Sequence, residues 1–326
     1  MRLTRTSTFA HAPETLARYL GTHGARTRLV PPGHVSFEPV IGEDPTRATA
    51  HLGPGSLGKA QPAMVVERRE RKQSDACLAY VDAQVTGPFR IYRHEVEVLP
   101  VRGGVELRES IEYELPAGGA RAEKTLKPRI DALLRFREEQ LHGDLALIDH
   151  PSHASGKRIA IAGASGLIGT QVAALLEAAG HDVVRLARPS SSSGGPSIPW
   201  DPHAGELEPE ALAGVEAVVN LAGRSIGTRM TAKAKHEILA SRVTSSQLLA
   251  RTVAELSRAG EGPSVVVQAS AVGYYGAKRP GEILGEDSAP GGDVLAQVCK
   301  AWEACLEEAR EANVRTVALR TGIGPE

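Results

Sequence analysis

The sequence predicts an α/β protein, with a doubly wound parallel sheet in its second half and an α+β domain in its first half. Up to about residue 150, apolar and polar residues alternate, which is the period of half-buried antiparallel strands. After residue 156, apolar runs of four to six residues alternate with helical stretches, which is typical of a parallel sheet. The polar, proline-containing segment 150–156 separates the two patterns, so we expect one domain over 1–150 and another over 157–326.

In the first domain, alternation predicts the strands and apolar spacing predicts the helices. In chain order we expect a strand at 3–9, a helix at 13–20, strands at 34–40, 63–70, 76–86, 90–99 and 105–115, and a long helix at 127–148. Glu109 is the one charge on the otherwise apolar face of the strand 105–115, and a charge there needs a partner or water. It therefore indicates either a cavity or a bulge that turns the side chain to solvent.

In the second domain, short apolar runs alternate with helical stretches, which indicates βαβ units. The predicted strands lie at 158–162, 182–187, near 198, 217–221, 264–269 and 316–319, and the predicted helices lie at about 167–179, 232–258 and 294–312.

Composition restricts the functions that are open to the chain. Its 326 residues carry a formal net charge of −1, so the chain has no excess positive charge with which to bind nucleic acid or an anionic membrane. It has no apolar run long enough to span a membrane and no signal-peptide core at its start. Three cysteines without C-x-x-C spacing argue against a disulfide framework or a structural zinc site. We therefore expect a soluble, cytoplasmic protein without a metal site.

A glycine-rich turn joins the first strand and the first helix of the second domain, in the stretch IAIAGASGLIG at 159–169. Its glycines have the spacing Gly163-x-x-Gly166-x-x-Gly169. Glycine allows a tight turn without a Cβ, so backbone N–H groups and the helix N-terminus can approach a pyrophosphate. The flanking strand, helix and second strand are those of a dinucleotide-binding unit. The alternative is a turn that only lets the helix and the strand pack closely.

Two residues that follow later strands bear on the identity of the nucleotide. Arg188 follows the second strand, where NAD-specific sites tend to carry an acidic residue for the ribose 2′-hydroxyl. A cation there suits a 2′-phosphate and favours NADP over NAD, unless Arg188 is a solvated loop residue. Asp201, after the short third strand, is either an acceptor for the adenine amino group or a turn aspartate.

Further motifs follow the later strands, and together with the glycine turn they resemble a known superfamily. They are VVNLAGRSI at 218–226, RMT at 229–231, SR at 241–242, SAVGYYG at 270–276 and LRTGI at 319–323. Through them, residues 157–323 resemble the NAD(P)-dependent epimerase-like proteins of the extended, atypical short-chain dehydrogenase/reductase superfamily. The first half is similar to START/polyketide-cyclase-type (SRPBCC) helix-grip domains, through GPFRIYRH at 87–94 and LRFREEQL at 134–141.

The resemblance implies a Rossmann-type fold that binds NADP, with NAD the less favoured cofactor. The implied contacts are the glycine turn at Gly163, Ser165, Gly166, Leu167 and Ile168, the 2′-phosphate at Arg188, the adenosine side at Ala222 and Gly223, and the nicotinamide end at Ser270. We add Gly169, Asp201 and Leu221, which flank these residues or follow the third and fourth strands, as further cofactor-binding candidates. The resemblance also implies a substrate lobe beyond the sixth strand. Because the chain stops at residue 326, directly after that strand, we expect this lobe to be missing.

Catalysis is where the chain departs from the resemblance. The superfamily uses a tyrosine and, four residues later on one helix, a lysine that lowers the tyrosine pKa from about 10. Alignment on Trp302 and the glutamate after it places Leu295 at the tyrosine position and Cys299 at the lysine position. A literal Tyr-x-x-x-Lys does occur at 274–278, but it spans a strand end and a loop.

The catalytic candidates are therefore Ser270, Tyr274 and Tyr275, with either tyrosine acting alone as a proton donor. A packing role beneath the cofactor is the alternative for Tyr275. Two functions remain open. One is an NADP-dependent oxidoreductase or epimerase for a small carbonyl or alcohol, nucleotide-sugar-like substrates included. The other is a non-catalytic NADP-binding sensor whose first domain holds a hydrophobic small molecule.

Overall fold

The computed structural model describes residues 1–31, 35–39, 47–52, 63–74, 76–116, 120–150, 153–188, 196–227, 229–277 and 279–322. The chain divides into two compact units, Met1–Ser155 with Ala174–Gly180, and Gly156–Ala173 with His181–Glu326. Among the described residues, no helix is long and apolar enough to cross a membrane.

The first unit is built on a seven-stranded antiparallel sheet. Its elements are β1 (Arg2–Phe9), α1 (Pro13–Gly21), α2 (His23–Arg28), β2 (Val35–Pro39), β3 (Arg47–Leu52), β4 (Ala63–Ser74), β5 (Cys77–Thr86), β6 (Ile91–Val101), β7 (Gly104–Glu114) and α3 (Ala120–Ile148). The strand order is β1-β7-β6-β5-β4-β3-β2, so the first strand pairs with the last. The core combines apolar residues of the strands with Leu16 and Leu20 of α1 and with Leu141 and Leu145 of α3.

The alternating pattern of β7 is confirmed, but the interpretation that a bulge turns Glu109 to solvent is wrong. Val105, Leu107 and Ile111 are all buried, as the alternation predicts. Glu109 is also buried, at 3% exposure, and the register of β7 against β1 is continuous through it, so no bulge turns it to solvent. The charge stays inside because Arg137 of α3 pairs with it, with Nε 2.8 Å from Glu109 Oε1.

Three features of the first unit differ from the prediction. Helix α2 has no apolar periodicity to reveal it, and its start is fixed by Thr22, whose hydroxyl accepts from the backbone of Ala25 at 3.2 Å. Strand β3 is short, and the two of its side chains that are described as buried are alanines, Ala48 and Ala50, which give a weak apolar signal. Helix α3 begins at Ala120 rather than at 127 and continues through Pro128. Of the strand predicted at 34–40, the two terminal residues lie outside the described residues.

The second unit contains the predicted parallel sheet. Its elements are β8 (Arg158–Ala162), the first part of α4 (Leu167–Ala178), β9 (Asp182–Ala187), β10 (Ser197–Pro199), β11 (Ala217–Asn220), α5 (Ala232–Arg258), β12 (Val265–Ala271), α6 (Val294–Ala304), α7 (Glu307–Glu311) and β13 (Arg315–Thr321), with 3-10 turns at Pro209–Leu212 and Val272–Tyr275. The residues of α4 from Ala174 onward belong to the first unit. The strand order is β10-β9-β8-β11-β12-β13, and every pairing is parallel. The order reverses at β8, which opens a crevice at the carboxyl ends of the strands.

The helix predicted at 294–312 is broken in the structure. Helix α6 ends at Ala304, and α7 begins at Glu307. The start of α6 is fixed by Asp293, whose side chain accepts from the backbone N–H of Ala296 at 2.9 Å. The apolar spacing runs on through the break, because Leu306 and Ala309 both pack in the core, so the sequence pattern gave no sign of the interruption.

Candidate functional site

Two glycines of the turn after β8 are required by close backbone packing. Gly163 has a positive φ of 78°, and a Cβ there would lie 2.7 Å from the carbonyl carbon of Leu221. A Cβ on Gly169 would lie 2.1 Å from the carbonyl oxygen of Gly163. At these two positions glycine therefore brings helix α4 and the end of β11 against the turn, which is the packing role considered as the alternative.

The middle of the turn is open to a ligand. Among the described residues, a Cβ on Gly166 would meet only the Gly163 carbonyl oxygen within 4 Å, at 3.3 Å. Helix α4 starts directly afterwards, and the first N–H groups of a helix have no acceptor within it. The side chains of Leu167 and Ile168 are 73% and 57% exposed, and Ser165 is also exposed. The turn thus offers backbone donors and the positive end of a helix dipole, which fits a pyrophosphate.

The segment after β11 lies against the same turn. The backbone N–H of Leu221 donates to the carbonyl of Ala162 at 2.9 Å. The Asn220 side chain then accepts from the backbone N–H of Ala222 at 3.1 Å. The structure therefore brings Leu221 and Ala222 beside the glycine turn, with the exposed Gly223 directly after them, and their contact with the adenosine stays a prediction.

Arg188 and Asp201 both lie beyond the carboxyl ends of strands, Arg188 after β9 and Asp201 after β10. Arg188 is exposed directly after β9. The backbone N–H of Trp200 donates to the carbonyl of Ala187 at 3.1 Å. Asp201, which follows Trp200, therefore lies next to the end of β9. Asp201 Oδ1 accepts from the backbone N–H of His203 at 2.9 Å, so one carboxylate oxygen stabilises a turn. A contact of Asp201 with adenine stays a prediction.

Beneath the ends of β11 and β12 lies a buried polar network that the sequence analysis did not identify. Ser246 Oγ accepts from Asn220 Nδ2 and from the indole Nε1 of Trp302, each at 2.9 Å. Gln268 Nε2 donates to the Trp302 carbonyl at 2.7 Å. Asn220 and Gln268 are paired in register on adjacent strands. Two amides at matching positions of otherwise apolar strands are the signal that could have found this network.

At the end of β12 the three catalytic candidates converge on one ion pair. Ser270 Oγ donates to Glu303 Oε1 at 2.6 Å, and Arg320 contacts the same carboxylate at 2.9 and 2.8 Å. Arg320 also donates to the hydroxyl oxygen of Tyr275 at 2.9 Å, and its guanidinium carbon lies 3.5 Å from the ring centroid of Tyr274. Neither Glu303, the alignment position after Trp302, nor Arg320 of the LRTGI motif was predicted to have a role.

The charges in this cluster fix which groups can release a proton. Burial alone would raise the pKa of Glu303, but hydrogen bonds from Arg320 and Ser270 outweigh it and lower that pKa. The hydrogen bond to Glu303 raises the pKa of Arg320. Glu303 is therefore an ionised acceptor at neutral pH and not a proton donor. The Tyr275 oxygen accepts from Arg320, so its own O–H remains available to donate.

Helix α6 packs against the same segment but supplies no tyrosine–lysine pair at the aligned positions. A Cβ on Gly273 would lie 3.5 Å from Leu295 Cβ and 3.8 Å from Cys299 Sγ. Leu295 is 38% exposed, whereas Cys299 is buried, and this burial raises the pKa of its thiol. A thiol in that state is a poor nucleophile. Lys278, of the literal Tyr-x-x-x-Lys, lies outside the described residues.

Comparison with known proteins gives the second unit a family relationship. Residues 159–321 match the model of the "NAD dependent epimerase/dehydratase family". The chain is 39% identical over 168 residues to Epimerase family protein Mb2239 of Mycobacterium bovis, which covers 51% of this chain and 53% of that protein. It is 34% identical over 171 residues to the chloroplastic Epimerase family protein SDR39U1 homolog of Arabidopsis thaliana, covering 51% and 48%. The chain thus spans about half the length of these relatives.

One solved structure is similar over nearly the whole chain. The nucleoside-diphosphate sugar epimerase from Corynebacterium glutamicum aligns with a TM-score of 0.78 at 27% identity. The alignment covers 98% of this chain and 65% of that one. Both units of this chain therefore have a counterpart in that structure.

Proposed function

The chain belongs to the NAD dependent epimerase/dehydratase family, and on that basis we propose that it binds NADP and catalyses oxidoreductase or epimerase chemistry on a small carbonyl or alcohol. The observation that carries the proposal is the open glycine turn at the start of α4, with the end of β11 beside it. The name of the Corynebacterium glutamicum neighbour supports a nucleotide-linked sugar as the substrate class.

In this proposal each part of the cofactor meets a defined group of the second unit. The N–H groups of Leu167 and Ile168 bind the pyrophosphate, and the absence of a side chain at Gly166 lets it approach. Arg188 pairs with the 2′-phosphate, and the second carboxylate oxygen of Asp201 accepts from the adenine. Leu221, Ala222 and Gly223 line the adenosine. When bound, the nicotinamide ring supplies a hydride acceptor or donor.

The chemistry falls to the cluster at the end of β12. Tyr275 donates its hydroxyl proton to the substrate oxygen, while Arg320 holds the phenolic oxygen in place. Glu303 orients both Arg320 and Ser270. Ser270 and the half-buried Tyr274 position the substrate near the nicotinamide. Arg320 thus takes the place of the usual lysine as the cation next to the tyrosine hydroxyl.

For the first half, we propose a helix-grip domain over 1–150, with the dinucleotide-binding domain over 157–326. The support is a long final helix, α3, whose Leu141 and Leu145 pack with strand residues of a seven-stranded antiparallel sheet. Domains of this type enclose a ligand cavity between the sheet and the helix, so this unit is a second place for a small ligand.

A specific observation favours a second candidate function, that of a non-catalytic NADP-binding sensor. Leu295 and the buried Cys299 occupy the positions of the usual tyrosine and lysine. Under this alternative, NADP raises the melting temperature by linkage, but no carbonyl or alcohol substrate is turned over.

Cofactor titrations test the proposal directly. We expect NADP to bind more tightly than NAD, and Arg188→Ala to weaken NADP by about tenfold or more while leaving NAD unchanged. Arg315→Ala is the matched control, because this arginine is also exposed but begins β13, at the opposite edge of the sheet. Equal losses for both cofactors, or none, would refute the 2′-phosphate contact. Failure of the wild type to bind either cofactor would refute the function.

A further inference from the structure

The first unit contains a cavity that is lined by both apolar and charged side chains. Its volume is about 40 Å³, roughly three times the minimum that holds one water molecule. Leu20, Leu29 and Val30 contribute apolar lining. Charged and polar groups of α2, α3 and strands β4 to β6 line it as well. A purely hydrophobic ligand would have to place apolar surface against these charged groups.

Two of the arginines around the cavity are already paired. Arg68 binds both carboxylate oxygens of Asp82, with Nε and Nη2 each at 2.8 Å from an oxygen. Arg137 binds Glu109 Oε1 through Nε at 2.8 Å and Nη2 at 2.6 Å. His94 Nε2 lies 3.2 Å from the same Glu109 oxygen. Each of these two carboxylates is therefore already bound by an arginine, Asp82 by Arg68 and Glu109 by Arg137.

Arg26 is the third guanidinium, and it has no carboxylate of its own among the residues that the structure describes. Its nearest acidic oxygen is Asp82 Oδ1 at 3.8 Å, which is beyond hydrogen-bond distance and already bound by Arg68. The Arg26 side chain is only 12% exposed. Burial, followed by the charge of Arg68, lowers its pKa. Among the described residues around the cavity, three arginines and two carboxylates leave one positive charge in excess.

We propose that this cavity binds a small organic carboxylate. Its carboxylate group pairs with Arg26, and its short alkyl part lies against Leu20, Leu29 and Val30. The planar guanidinium matches a carboxylate in shape, and a third anion neutralises the excess charge. The volume suits a short-chain acid rather than a lipid. This site is independent of the dinucleotide site and needs no cofactor.

Butyrate is the probe, titrated into the full chain by calorimetry with butyramide as the neutral isostere. We expect butyramide to bind about tenfold more weakly or worse, because it lacks the charge that Arg26 recognises. Sulfate at equal ionic strength distinguishes a generic anion site. Equal affinity for butyrate and butyramide, or for butyrate and sulfate, would overturn the proposal, as would no binding of butyrate.

Substitution of Arg26 separates a ligand-binding role of this arginine from a structural one, because the first changes the butyrate affinity and the second changes the melting temperature. Arg26→Gln should weaken butyrate by about tenfold or more, yet it should not lower the melting temperature of the free protein, since it removes an excess buried charge. Arg18→Gln is the matched control, because Arg18 is exposed on α1, and it should leave the affinity unchanged. Arg26→Lys keeps the charge without the planar fork and should show an intermediate loss. Unchanged butyrate affinity in either Arg26 variant contradicts the assignment.

Discussion

Replacement of Glu109 by glutamine tests the buried ion pair of the first unit and has a magnitude that follows from the structure. Burial by itself would raise the pKa of Glu109, but the charge of Arg137 and the His94 contact lower it from 4.5 to about 2. At about 1.4 kcal/mol for each pKa unit, this difference corresponds to about 3 kcal/mol of folding free energy. Glu109→Gln should therefore lower the free energy of unfolding of the first unit by about 3 kcal/mol at pH 7. The loss arises because the buried charge of Arg137 then faces only a neutral acceptor.

The pH dependence of this effect has a defined sign. A carboxyl whose pKa is lowered on folding contributes its full stability above the unfolded value of 4.5, and it loses that contribution as the pH falls towards about 2. The stability difference between wild type and Glu109→Gln should therefore be constant from pH 7 to about pH 5 and shrink below it.

Hydrogen exchange followed by mass spectrometry on peptides from β6 and β7 measures this difference, since comparison at equal pH cancels the intrinsic exchange rate. Glu106→Gln on the same strand is the control, because Glu106 pairs with Arg108, which is 53% exposed, and a surface pair contributes about 0–1 kcal/mol. A Glu109→Gln loss no larger than the control, or one that is the same at pH 7 and pH 3, would refute the reasoning.

Three further predictions concern the second unit. Gly169→Ala should lower stability by about 1–3 kcal/mol and weaken NADP binding, because its Cβ would come 2.1 Å from a backbone oxygen. Gly143→Ala is the control: Gly143 lies within α3 and a Cβ there meets no atom within 4 Å, so this change should be neutral or stabilising in the same thermal melts. Tyr275→Phe should lower kcat by about 100-fold or more in an NADPH absorbance assay while the NADP Kd stays constant. An unchanged kcat would assign Tyr275 the packing role. Trp302→Phe should cost about 1–3 kcal/mol in urea unfolding, because Ser246 loses a buried indole donor; no measurable cost would mean that water replaces it.

Local patterns were sufficient where an element carries its own signal. The strands Arg158–Ala162 and Asp182–Ala187 and the helix Ala232–Arg258 have the predicted bounds. Each is an apolar run or an amphipathic repeat that ends at turn or capping residues. Helix α2 and the break after α6 were not predicted, because their limits depend on a side-chain cap and on tertiary packing rather than on periodicity.

The sequence by itself determined the parallel sheet and the position of the glycine turn, because both follow from the residue types of contiguous segments. It also placed Ser270, Tyr274 and Tyr275 in one short motif. Only the tertiary structure decided what surrounds them. Glu303 and Ser270 are 33 residues apart, and Arg320 reaches Glu303 across 17. Such pairs form because helix α6 and strand β13 pack beside β12, and no local pattern encodes that contact.

The same reason explains Glu109. The sequence marked it as a charge on an apolar face but left its partner open, because Arg137 lies 28 residues away on α3. A buried charge is stable only with a partner, and that partner is supplied by a different element. Residue types fixed which groups needed a partner, and the packing of helices against the sheets decided which groups meet that need.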